Sequence, residues 1–79
     1  MMHLTLAFAD ADHARAGMRF VARGAALARV TFAQDGDGSR MSIVELDCPT
    51  TEAVRVRTLV LGVRGMVVAE SREATPALA

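Results

Sequence analysis

The chain opens with an alternation. In Leu4-Thr5-Leu6-Ala7-Phe8 the apolar residues Leu4, Leu6 and Phe8 share one face, which predicts a half-buried strand. The stretch ADADHARAGMRFVARG then changes period. Gly17, Met18, Phe20 and Val21 recur at helical spacing, Asp10 or Asp12 suits the N-cap, and Gly24 suits the stop. The buried face of this helix is thin, mostly Ala and Gly, which lets it lie close to a sheet. ALARVTFA returns to alternation, with Ala28, Val30 and Phe32 on one face. MSIVELDC predicts a third strand of unclear phase. Met41 and Ile43 fall on one face and Val44, Leu46 and Cys48 on the other, so a bulge near Ile43 or two covered faces is expected. In PTTEAVRVRTLVLGVRG, Val56, Leu59, Val60 and Val63 form an i, i+3, i+4, i+7 stripe. Pro49, Thr50 and Thr51 start that helix, Glu52 suits its positive end, and Gly65 ends it. MVVAES is a short fourth strand, and the last residues carry little pattern.

The order is β-α-β-β-α-β. Two right-handed crossovers joined by a central hairpin give a four-stranded antiparallel sheet with both helices on one face, the ferredoxin-like α+β sandwich. The expected organisation is one domain over residues 1–71 and a loose tail over 72–79.

The hairpin falls on QDGDGSR, residues 34–40. Asp35, Asp37 and Ser39 have the spacing that begins a calcium loop. Such a loop needs glycine at its sixth position and a bidentate glutamate at its twelfth, and these positions hold Arg40 and Leu46. Asp-Gly pairs between apolar runs are turn chemistry, because glycine accepts positive φ. A turn is expected here, not a cation site.

Composition narrows the rest. At 79 residues the chain buries only about 60% of its unfolded surface, so its core is marginal and a second copy or a partner subunit would relieve it. Nine arginines, with no lysine, balance nine acids, which argues against binding driven by phosphate neutralisation. The single Cys48 makes no internal disulfide and fits a reducing, cytoplasmic setting. No basic region precedes the first apolar run, and no run reaches the ~18 residues of a membrane span. Neither a signal peptide nor a membrane association is expected.

Candidate chemistry is sparse. Asp10, Asp12 and His13 sit where strand one becomes helix one. Capping with an exposed His13 is the favoured reading, and polar contacts to a small ligand or a metal the rival one. His3, placed before the first strand, reads as an exposed or edge residue. No His–Cys pairing at metal spacing occurs, so no metal and no cofactor are expected. Cys48 precedes a helix start, yet a buried, inert thiol is the favoured reading over a nucleophile. RNA binding on this fold needs exposed aromatics on the central strands. Phe8, Phe20 and Phe32 are the only aromatics and all read as core, so no nucleic-acid partner is expected. No catalytic set is visible, and the chain does not read as an enzyme. Arg55, Arg57 and Arg64 read as a solvated helix face.

Two segments, RFVARGAALARVTF and IVELDCPTTEAVRVRTLVLGVRGMVVAE, carry a resemblance. A helix ending in Arg23-Gly24 and running straight into strand two, and a third strand passing through proline into a helix and then a Val-rich strand, resemble the ACT domain. This is a small regulatory module of amino-acid metabolism. The pattern is most similar to the short small subunits of acetohydroxyacid synthase, an enzyme of branched-chain amino-acid biosynthesis. The resemblance implies a non-catalytic module that binds and modulates a thiamine-diphosphate catalytic subunit. It also implies an amino-acid effector at the turn of Asp10, Ala11, Asp12 and His13, where Ala11 replaces the glycine often found in the family. A homodimer joined along strand two, at Ala28, Val30 and Phe32, is the third implication. A stand-alone small-ligand sensor and an uncharacterised ferredoxin-like interaction protein are the alternatives.

Overall fold

A computed structural model describes residues 1–33 and 41–72. The elements run in the expected order: β1 (Met2–Phe8), α1 (Ala11–Gly24), β2 (Arg29–Ala33), β3 (Ser42–Cys48), a 3-10 turn (Thr50–Glu52), α2 (Ala53–Gly62) and β4 (Met66–Ser71). The four strands form one antiparallel sheet in the order β2-β3-β1-β4. This is the ferredoxin-like arrangement, with β1 and β3 in the centre and β2 and β4 at the edges. The expected turn at 34–40 and most of the expected tail lie outside the described residues. Among the described residues no helix is long and apolar enough to cross a membrane.

The core lies between the sheet and the two helices. Met2, Leu4, Leu6 and Phe8 from β1 meet Val44, Leu46 and Cys48 from β3. Ala14, Met18 and Val21 of α1 and Ala53, Val56 and Val60 of α2 cover them. Leu59 and Val63, also expected in the stripe of α2, pack at its margin. α1 approaches closely because its contact face is small. A Cβ on Gly17 would stand 2.7 Å from Phe8 Cε1 and 3.1 Å from Val63 Cγ2.

Several expectations need correction. The phase of β3 resolves without a bulge near Ile43, since β3 stays in register with β1 and with β2. Val44, Leu46 and Cys48 face the helices, and Ile43 lies half-buried on the opposite face. The irregularity falls instead between Thr5 and Leu6 in the β1·β4 pairing, where Val68 is the extra residue. Phe20 and Phe32 are not core, being 49% and 48% exposed, whereas Phe8 is 1% exposed. Strand one begins at Met2, so His3 lies inside a central strand and not before an edge. Strand two begins at Arg29, although the Ala28 N–H still donates to the Asp47 carbonyl at 2.8 Å.

The end of α2 also departs from the sequence reading. Gly65 N–H donates to Val60 O at 2.9 Å and Arg64 N–H to Leu61 O at 3.1 Å, the bond pair of a Schellman cap. The left-handed position belongs to Arg64, with φ 62°, and not to Gly65. Arginine is strained there and glycine is not. Arg64→Gly is therefore expected to raise stability by about 0.5–1 kcal/mol, read as a higher thermal midpoint. A lower midpoint would show that the exposed guanidinium makes a contribution larger than the backbone strain.

Candidate functional site

Two surfaces bring polar or apolar side chains together outside the core. The first is the sheet face turned away from the helices. Register sets His3 of β1 opposite Asp47 of β3, with Glu45 two residues along the same face. His3 Nδ1 lies 2.7 Å from Asp47 Oδ1, and Nε2 lies 2.9 Å from Glu45 Oε1. A neutral imidazole has a single N–H, so donating from both nitrogens requires the imidazolium. The hydrogen bonds that Asp47 and then Glu45 accept hold the His3 pKa above its ordinary value of 6.5, against a smaller opposing cost of burial. Arg29 and Thr31 of β2 complete a shallow polar depression of about 290 Å³ around this clamp.

The clamp has a pH signature. A histidine whose pKa is higher in the folded chain stabilises the fold fully below the unfolded pKa, and loses that contribution as pH rises through the folded value. The urea midpoint is expected to fall as pH rises above the ordinary histidine range, and the fall to be shallower in His3→Gln. Parallel curves for the two proteins would show that His3 is not charged in the fold.

The second surface lies between α1 and β2. Alternation puts Val30 and Phe32 on the helix side of β2, but α1 sits over β1 and β3 and leaves them 36% and 48% exposed. Together with Met18, Ala22, Arg15 and Arg19 of α1 they line an open, mainly apolar groove of about 350 Å³. β2 borders it as an edge strand, paired among the described residues with β3 alone. The residues singled out for pairing along strand two thus lie on a bare sheet edge, with Val30 and Phe32 in the groove and Ala28 just before the strand.

The turn of Asp10, Ala11, Asp12 and His13 is exposed at the start of α1. Asp10 Oδ1 accepts from His13 N–H at 2.8 Å and lies 2.8 Å from His13 Nδ1. These bonds, the His13 backbone N–H first, hold the Asp10 carboxyl below its ordinary range. That is N-capping, and it engages one of the two carboxylate oxygens. Asp12 lies in the first turn, where the helix dipole favours an acid.

Cys48 is fully buried at the end of β3. Burial pushes its thiol up, with Glu52 and Asp47 adding to the shift. A protonated, enclosed thiol is a poor nucleophile. Glu52 instead serves structure, its Oε1 accepting from Ala26 N–H at 3.0 Å and so pinning the connection from α1 to β2. Arg57 reaches Glu70 of β4 at 3.3 Å, while Arg55 and Arg64 are exposed. Among the described residues no group of three His, Cys, Asp or Glu is placed to hold a metal ion. The open face of β1 and β3 presents His3, Thr5, Ala7, Ile43, Glu45 and Asp47, with no aromatic residue for base stacking.

Fold and surfaces together define a small ferredoxin-like α+β domain whose edge strand β2 borders an open apolar groove. Compared with family models, curated proteins and solved structures, the chain shows no match in any of the three.

The His3 clamp escaped the sequence reading because its partners lie 42 and 44 residues away. The one available signal was the alternation of Glu45 and Asp47 on the polar side of a strand, which requires the register to become meaningful.

Proposed function

We propose that this chain is a non-catalytic regulatory module of amino-acid metabolism, of the ACT type, which acts by binding and modulating an enzyme subunit of the acetohydroxyacid synthase kind. The observation that carries an assembly role is β2, an edge strand with Val30 and Phe32 exposed beside an apolar groove. An exposed apolar edge is an aggregation hazard unless something covers it. A domain of this size also gains stability from a partner. The resemblance in the segments around Arg23-Gly24 and from Ile43 to Glu70 supports the choice of partner.

The test is functional. The purified chain is added to the thiamine-diphosphate catalytic subunit from the same cells, and synthase activity is measured. A change in activity that disappears with Phe32→Glu supports the role. Unchanged activity with no co-sedimentation removes the synthase assignment and leaves an interaction domain of another system.

A second reading gives the same edge to a second copy, joined β2 to β2 at Ala28, Val30 and Phe32, with an amino-acid effector at the Asp10–His13 turn. Sedimentation velocity separates the two. A dimer abolished by Phe32→Glu favours self-pairing, and a monomer favours an edge kept for another protein.

A further inference from the structure

The groove beside β2 carries more information than its apolar floor. Its two charged rim residues, Arg15 and Arg19, stand one turn apart on α1, and neither guanidinium has an ion pair or hydrogen bond among the described residues. Two like charges on one face of a helix repel and gain nothing from each other. Beneath them β2 offers backbone that is unpaired along its outer side among the described residues, the template for strand addition.

We propose that β2 docks an extended segment of a partner protein as a fifth strand, and that this segment carries acidic side chains at alternate positions for Arg15 and Arg19. The proposal rests on β2 being the docking edge, and is independent of which enzyme the partner belongs to. The spacing fits. Residues four apart on a helix are about 6 Å apart along its axis, and alternate residues of a strand are about 6.7 Å apart. Two glutamates on one face of an added strand therefore meet the two arginines in step, each as a charge-assisted pair. Their aliphatic stems, and apolar residues before and after them on the same face, lie over Val30 and Phe32. Alternating side chains then supply selectivity while main-chain bonds supply affinity.

A second copy fits this site less well. Pairing β2 with β2 brings two α1 helices to one seam, with Arg15 and Arg19 from each. The strand it contributes, Arg29-Val30-Thr31-Phe32-Ala33, contains no acid. Like charges across a contact count against the pairing.

The experiment is a titration of the isotope-labelled full chain with the capped peptide Val-Thr-Glu-Thr-Glu-Thr-Val, followed through the amide signals of β2. The counterpart with lysine for both glutamates is the control. The acidic peptide is expected to bind roughly tenfold or more tightly than the basic one at low salt, with the difference shrinking as salt is raised. The double variant Arg15→Glu, Arg19→Glu is expected to reverse the preference. Both arginines are exposed, so an amide spectrum resembling the parent's is the fold control, and Arg15→Gln, Arg19→Gln, which loses the preference without reversing it, is the second variant. Equal binding of both peptides at β2 keeps the docking edge and overturns the acidic partner. Binding of neither peptide by a dimeric chain gives the edge to a second copy and overturns the proposal. Binding of neither by a monomeric chain overturns the docking edge itself.

Discussion

Phe8→Ala is expected to remove most of the chain's folding stability. The ring is 1% exposed and fills the junction of three elements. Its Cε1 lies 2.7 Å from where a Cβ on Gly17 would stand and 2.6 Å from where one on Gly65 would stand. The ring thus takes the room that two glycines vacate, one on α1 and one just before β4. Removing a buried Phe side chain costs about 3–5 kcal/mol, as lost transfer energy plus an unfilled cavity. A domain of this length holds roughly 4–12 kcal/mol in total, and incomplete burial puts a small one toward the low end. Neighbouring backbone cannot collapse into the hole easily, because sheet and helix hydrogen bonds hold it. Urea unfolding followed by circular dichroism checks the outcome. A loss below about 1.5 kcal/mol would mean that the junction relaxes, and that the close approach at Gly17 and Gly65 does not depend on the ring.

Gly65→Ala is expected to cost about 1–3 kcal/mol by overpacking the same junction. The added methyl would lie 2.6 Å from Phe8 Cε1 and 2.8 Å from Val60 Cγ1. Both neighbours are buried, at 1% and 0% exposure, and Val60 also receives the capping bond from Gly65 through its carbonyl. Neither can swing into solvent to make room. The cost therefore has a specific remedy. Phe8→Leu withdraws the ring atoms nearest the new methyl, so the double variant is expected to be more stable than the sum of the two single losses predicts, by about 1 kcal/mol. Strict additivity would place the strain in the backbone after Arg64 and not in the Phe8 contact. The two nearby changes after α2 thus have opposite expected signs. Arg64 occupies a glycine conformation without being glycine, and Gly65 occupies a crowded site that only glycine fits.

Much of the fold was legible in the residues. Alternation in 4–8 and in 28–32 marked two strands, the Val56–Val63 stripe marked α2, and the pair Asp10 and Asp12 marked the start of α1, which the structure caps with Asp10. Element order then left few topologies, because crossovers between parallel strands are right-handed. The candidate sites were less legible. Val30 and Phe32 were assigned to a common face, and they share one. Alternation says which residues point together and not whether anything covers them, and the groove exists because α1 ends its coverage short of β2. Phe20 misled for the same reason: helical spacing groups it with Gly17, but the buried arc is narrow and Phe20 lies outside it.

What the sequence by itself determined is local: the period of each segment, its cap or stop, and through them the βαββαβ order and a sheet with one helical face. These follow from backbone geometry and from neighbours a few residues apart. What only the tertiary structure decided is everything that needs a register or a distance between elements. Register placed His3 between Asp47 and Glu45 and so made it a hydrogen-bonded clamp in a central strand. It also settled the phase of β3, with Val44, Leu46 and Cys48 inward, and moved the bulge to Val68. Helix placement left β2 bare beneath Arg15 and Arg19. Burial and pairing belong to two elements at once, and a linear pattern carries only one of them at a time.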